Sequence, residues 1–213
     1  MDGRVVLDPE YPVDVQRARI HVDGMDASAP LPRYLALNKP RGLVTTASDE
    51  RGRDTVYRCF DGADLGWIAP VGRLDQASEG LLLFTNDPVW AAAITDPERG
   101  PDKTYHVQVH GSPAPFLLKT MVRGLPCDGE RLAVASVRIL REGQRNAWLE
   151  VVLDEGRNRH IRRLMAACGL EVLRLVRVAV GPVVLGELAK GAWRALDEGE
   201  VALLAPPSAP VAA

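Results

Sequence analysis

Between Thr104 and His110 the chain alternates strictly, with Tyr105, Val107 and Val109 interleaved with Thr104, His106, Gln108 and His110. A period of two gives a strand one apolar face, and that face has to be covered by something else. Other stretches read as strands at 66–70, 81–86, 147–153 and 172–180, and the apolar run Tyr34 to Asn38 reads as a buried strand. Helical patterns are predicted at 88–95, 114–122 and 157–168. Strands and helices interleave with no repeat at solenoid periods. The expected fold class is therefore α+β: a mixed, mostly antiparallel central sheet with flanking helices.

The two ends differ from this body. Residues 1–30 form a short unit with strand-like runs at Gly3 to Leu7 and Ala18 to Gly24, too small for a core of its own. A Pro-containing joint, 27–33, leads into the main domain, expected over 33–204. The final stretch, 205–213, is mostly Ala and Pro and is expected to be a disordered tail.

Composition excludes several classes. No stretch approaches the roughly 20 apolar residues that span a bilayer, and the N-terminus lacks the pattern of a secretory signal, so a cytoplasmic protein is expected. Cys59, Cys127 and Cys168 are odd in number and far apart, so neither a disulfide framework nor a zinc site is indicated. The net charge of −2 argues mildly against a nucleic-acid partner, but its distribution argues the other way. Six arginines fall between Arg157 and Arg177 against the single acid Glu171, a concentration suited to a polyanion.

Three constellations could carry chemistry. In Gly72-Arg73-Leu74-Asp75, followed by Gln76 to Gly80, two glycines bracket a loop that carries an Arg and an Asp just before a strongly apolar strand. Asp75 reads either as a cap or turn residue or as a reactive carboxylate. In Lys103-Thr104-Tyr105 the tyrosine lies on the apolar face, as a core residue or as a ring with a polar task. In Glu155 to Met165, a helix starting near Arg157 would place Arg159, Arg162 and Arg163 on one face, with amides and guanidinium groups suited to phosphate, or one arginine turned inward to a carboxylate. Nucleotide-binding glycine loops, zinc-protease and serine-hydrolase motifs are missing, and His21, His106, His110 and His160 make no metal-ligand pattern. An acid pair of Asp75 with Glu79, as in a glycosidase, is a weaker reading.

Taken in order, Leu37-Asn38-Lys39-Pro40-Arg41-Gly42, Gly72-Arg73-Leu74-Asp75 through Leu82, Lys103-Thr104-Tyr105 and Glu155-Gly156-Arg157-Asn158-Arg159 with Ile161-Arg162-Arg163 resemble the motifs of the RsuA/RluB/RluE/RluF pseudouridine synthases of ribosomal RNA. The resemblance runs from about Tyr34 to Leu204 and implies the pseudouridine synthase fold. It implies Asp75 as the catalytic carboxylate, Tyr105 as the ring that packs on the target base and the catalytic candidate for removing the C5 proton, and Arg162 as the cation paired with Asp75. It further implies Arg73 as the side chain entering the RNA stack when the uridine flips out, and Ile161 as an apolar platform under the base. Arg157, Arg159 and Arg163 are left for phosphate contacts or for structure. The reaction needs no cofactor and no metal.

Two departures stand out. Position 160 is His where this family usually has Gln. Residues 1–30 resemble only the strand half of an N-terminal RNA-binding module, so the chain is either naturally short or truncated there. The expected partner is ribosomal RNA, large-subunit rRNA in preference to small-subunit; no membrane partner is expected, and a monomer is. The competing reading is a catalytically silent RNA-binding factor of ribosome assembly.

Overall fold

The structure is a computed structural model that describes residues 3–8, 11–13, 21–22, 25–26 and 31–205. It divides into two units, Met1–Pro32 and Arg33–Ala213. In chain order the elements are β1 (His21–Val22), β2 (Met25–Asp26), β3 (Tyr34–Lys39), a 3-10 turn (Val56–Phe60), β4 (Ala69–Val71), β5 (Glu79–Thr85), α1 (Pro88–Thr95), β6 (Lys103–His110), α2 (Pro115–Arg123), β7 (Leu125–Cys127), β8 (Glu130–Leu132), β9 (Ser136–Glu142), β10 (Asn146–Leu153), α3 (His160–Ala167), β11 (Val172–Val180), β12 (Val183–Val184), β13 (Trp193–Ala195) and α4 (Glu198–Leu204).

In the first unit, β1 and β2 pair antiparallel. Residues 3–8 form no strand, so the run expected at Gly3 to Leu7 is not one. Positions 18–20 and 23–24, and the tail expected from 206 on, lie outside the described residues.

The second unit is built on a nine-stranded sheet in the order β13-β3-β5-β11-β6-β10-β9, with β4 on β5 and β12 on β11. All its pairs are antiparallel except β5 with β11. This is the mixed, mostly antiparallel sheet of an α+β fold. The parallel pair is short, with Val176 opposite Glu79 and Arg177 opposite Gly80, and it joins two antiparallel halves at the middle of the sheet.

All seven residues of β5 are buried. Leu81 and Leu83 pack on one face with Trp90 and Ile94 of α1, Leu204 of α4 and Val180. Leu82 and Phe84 pack on the other with Leu35, Leu37, Val56 and Phe60. A strand sandwiched this way cannot show alternation, which is why its sequence is a continuous apolar run. The neighbouring half follows the alternation read from the sequence: Val107, Val109, Leu149 and Val151 are fully buried against Met121 of α2 and Leu164 and Met165 of α3. Asp87 caps α1 by accepting from the Val89 and Trp90 amides, with Pro88 at the first turn.

The strand expected at 66–70 is Ala69–Val71, and the helix expected from 157 begins at His160. Arg159 stops it from starting earlier: with φ 50° it occupies the left-handed region, which breaks the helical path.

Candidate active site

The faces of β5, β6 and β11 that carry two of the apolar clusters do not close into one core. Leu153, Ile161 and Leu175 belong to the cluster under α3, and Val71, Leu83, Ile94 and Val180 to the cluster under α1. Between them runs a cleft of about 450 Å³ lined by both sets and by Arg73, Asp75, Lys103, Tyr105, Glu155, Arg157, Arg159, Arg162 and Arg177. A cleft with apolar walls and a few convergent charges suits a small planar ligand.

Asp75 stands at its mouth on a loop whose backbone is held at almost every peptide. Lys39, fully buried, donates from Nζ to the carbonyls of Pro40 at 3.2 Å, Asp75 at 3.2 Å and Ser78 at 2.9 Å. Burial pulls its ammonium down to about 8, against the opposing field of Asp75. Thr45 Oγ1 donates to the Leu74 carbonyl at 2.7 Å, and Gln76 is tied to Gly42 by its carbonyl, which accepts the Gly42 amide at 2.8 Å, and by its side-chain amide at 3.0 Å. The segment 38–45 therefore works as the mould of the 72–78 loop. No helix follows Asp75 and, among the described residues, its carboxylate accepts no backbone amide, so it is not a helix cap. Its side chain is one-third exposed and faces a guanidinium: Arg159 Nη1 lies 3.8 Å from Oδ2.

That partner differs from the expected one. Arg162 donates from Nη2 to the Ala77 carbonyl at 3.2 Å, leaving its buried Nε without an acceptor, and makes no ion pair with Asp75 within 4 Å. It acts on the loop through the backbone and on Asp75 through its field. Burial, with Arg159 next to it, lowers the Arg162 guanidinium pKa from its ordinary value, and Asp75 opposes that shift. The exchange follows from the helix start: the left-handed turn at Arg159 swings its side chain over the Asp75 loop, a conformation that costs a non-glycine residue roughly 1–2 kcal/mol.

The other expected residues divide. Tyr105, half-buried, and Ile161, almost fully buried, line the cleft together. Arg73 is exposed at the loop tip, where Arg73, Leu74, Asp75 and Arg159 separate this cleft from a second of about 600 Å³ lined by Val44 to Thr46 and Ser48 to Arg51 with Arg53. Arg157 and Arg163 are paired with the protein's own acids. Arg157 binds Glu130 at 2.7 Å and Glu155 at 2.9 Å, and Arg163 binds Asp128 at 2.9 Å and the Cys127 carbonyl at 2.8 Å while also pairing with Glu130. Together they fasten the β7–β8 hairpin to the start of α3 and hold the Glu130 carboxyl below its usual range. His160 is buried, with Nε2 2.7 Å from the Ala133 carbonyl, and so supports the same hairpin; burial lowers its pKa.

Lys39, Lys103 and Arg177 were not assigned roles from sequence. A lysine inside the apolar run 34–39 and an arginine inside the run 172–180 were the available signals, because a charge in the middle of a buried strand needs a partner or a task.

Residues 33–167 match the family model described as RNA pseudouridylate synthase. An uncharacterized RNA pseudouridine synthase of Mycobacterium tuberculosis is 39% identical over 212 residues, covering 96% of this chain and 82% of that protein. One from Rickettsia typhi is 38% identical over 198 residues, covering 92% and 80%. A solved structure titled as a pseudouridylate synthase superposes with a TM-score of 0.73 at 28% identity, covering 95% of this chain and 86% of that one. The archaeal box H/ACA Nop10–Cbf5 complex shares the fold alone, with a TM-score of 0.52 at 20% identity over 73% of this chain and 50% of that one. With a split-core cleft, a moulded aspartate loop and these relatives, the chain belongs to the RNA pseudouridine synthase family, and it is an isomerase of uridine in RNA.

Proposed function

We propose that the protein converts a specific uridine of ribosomal RNA, in the large subunit, to pseudouridine in the cytoplasm, as a member of the RsuA/RluB/RluE/RluF branch, with Asp75 as its catalytic carboxylate. One observation carries this reading: Asp75 is the acid on the moulded loop at the mouth of the cleft, with a cation at 3.8 Å and the Tyr105 and Ile161 side chains lining the space beyond it. The order of the motifs from Lys39 to Arg163 supports the branch.

The reaction breaks the bond from uracil N1 to ribose C1′, turns the base and joins C5 to C1′. Asp75 contributes either by bonding to C1′ as the base leaves or by removing the proton from C2′. Both routes need an ionised carboxylate. The base must first leave the helix, and Arg73 at the exposed tip is placed to occupy the vacated stack. The second cleft, sharing Arg73 and Arg159, provides a path for the strand next to the flipped nucleotide.

Asp75→Asn and Asp75→Ala are expected to abolish turnover, at least 10⁴-fold by analogy with other lost catalytic groups, while melting temperature and RNA affinity stay near wild type. Pseudouridine mapping of rRNA from cells with and without the gene identifies the target; finding every rRNA site intact in the deletion would sink the ribosomal reading.

A further inference from the structure

Arg177 is the least explained charge in the molecule. It is 6% exposed, its Nε donates to the Leu81 carbonyl at 2.7 Å, and its two terminal nitrogens have no acceptor among the described residues. No carboxylate pairs with it among the described residues. It lies directly across from Tyr105 in the β6–β11 register and lines the same cleft. Lys103 adds a second cation to this lining: its Nζ reaches only the Ile94 carbonyl, at 3.4 Å, and burial and Arg177 together lower its pKa. A buried guanidinium and a half-buried ammonium lining one cleft, with Asp102 acting on Lys103 through its field, favour the arrival of something electron-rich.

Resting on the proposed uridine isomerisation, we propose that Arg177, with Lys103 beside it, is the group that reads the uracil ring at the floor of the cleft, donating to its carbonyl oxygen and stabilising the base once it is detached. The sugar belongs at the mouth, where Asp75 stands, so the ring atom pushed deepest is the one opposite N1. That atom is C4, and O4 meets the guanidinium. Cytosine carries an amino group there, which would set donor against donor and leave the buried cation unsatisfied.

The same contact survives the turn of the base. When the N1–C1′ bond breaks, its electron pair stays with the ring, and the negative charge spreads to the two carbonyl oxygens that Arg177 can bind. Rotation about the axis through N3 and C6 exchanges N1 with C5 and C4 with C2. O2 then takes the place of O4 on the guanidinium and C5 faces C1′; the ring's electron pair forms the C5–C1′ bond as C1′ releases the Asp75 oxygen or, on the other route, as C2′ regains its proton from Asp75, after which C5 loses its proton and N1 takes one up. A fixed donor at the floor holds the ring before and after rotation, which fits a base with carbonyls on both sides of N3.

The test uses the full chain and total RNA labelled with [5-³H]uridine from host cells lacking the gene. Tritium release measured in single turnover is expected to fall about 100- to 1,000-fold in Arg177→Gln, the range for losing one charge-stabilising donor, with Arg177→Lys retaining part of the rate. RNA affinity should change less than threefold. A second arm replaces uridine by 4-thiouridine in a transcript of the responding RNA and follows the product by nuclease mapping; sulfur is a poor acceptor. It should slow the wild type and leave Arg177→Gln no slower than on the uridine transcript, a pattern that a merely structural arginine does not produce, and Arg177→Lys carries this arm if the glutamine variant does not fold. Wild-type protein that releases no tritium sinks the uridine reading itself. Active wild type with an equally fast Arg177→Gln, equal slowing of both proteins by sulfur, or a rate loss matched by lost RNA affinity overturns the role of Arg177.

Discussion

Lys39 controls Asp75 without touching any substrate. Three of its neighbours' carbonyls depend on one ammonium, and no water can replace it in a site with no exposure. Lys39→Met should strand the Pro40 and Ser78 carbonyls, the Asp75 carbonyl keeping the Ser78 amide at 2.9 Å, at a cost of about 1–3 kcal/mol for each one left unsatisfied, and let the loop drift. A displacement of about 1 Å at a catalytic group is enough to slow turnover about 100-fold. The expected result is a lower single-turnover rate with unchanged RNA affinity. Arg159 offers a sharper comparison, because its backbone is strained and its side chain faces Asp75. Arg159→Gly relieves the left-handed strain and Arg159→Ala does not, so the glycine variant should be the more stable of the two by about 1 kcal/mol in thermal melts. Both should lose turnover, since both lose the guanidinium.

At the scale of elements, the short parallel pairing of β5 with β11 sets the site. It brings the end of the Asp75 loop against the strand that carries Arg177, and it depends on Gly80. With φ 101°, Gly80 sits where a side chain is strained, and a Cβ there would collide with the Arg177 carbonyl oxygen. Gly80→Ala should therefore force the strands apart, lowering stability by more than about 3 kcal/mol in denaturant titrations. A well-folded Gly80→Ala protein with normal stability would mean that the pairing is looser than described here. At the same junction Lys103, half-buried, and Arg177, buried, line the cleft together with apolar residues of both clusters.

For the molecule as a whole, one buried carboxylate joins segments far apart in sequence. Glu79, at the start of β5, pairs with Arg174 on β11 and Lys190 before β13, each at 2.6 Å. The hydrogen bond from Arg174, helped by Lys190 and opposed by burial, pulls its pKa down to about 2 from 4.5. The folded protein thus binds this proton less readily than the unfolded chain does. Its contribution to stability is complete above about pH 4.5 and is lost as pH falls toward 2. Glu79→Gln should lower stability at neutral pH by about 2 kcal/mol and flatten the acid arm of a stability–pH curve in that window; equal acid slopes for the two proteins would show that other carboxylates carry it.

Much of this molecule could be read from local pattern. The alternation from Thr104 to His110, the apolar run through Leu81 to Phe84 and the Asp87-Pro88 helix start each report a period or a cap that acts over a few residues. The cleft-lining residues Asp75, Tyr105, Ile161 and Arg73 were also legible, through motifs in order. Strand β9 was not, because it is mostly exposed and its alternation is only two apolar residues long, Val137 and Ile139, before Leu140 interrupts it, and α4 is only seven residues long, with a capping box at Asp197 and Glu200 as its one marker. What tertiary structure alone decided is the identity of partners. Asp75 meets Arg159 rather than Arg162, Arg157 and Arg163 turn to the hairpin acids, and Arg177 comes to lie beside Tyr105. Sequence by itself determined which residues are charged or apolar and at what period. Which charge faces which depends on strand register and on one left-handed residue, both set by packing between segments dozens of residues apart.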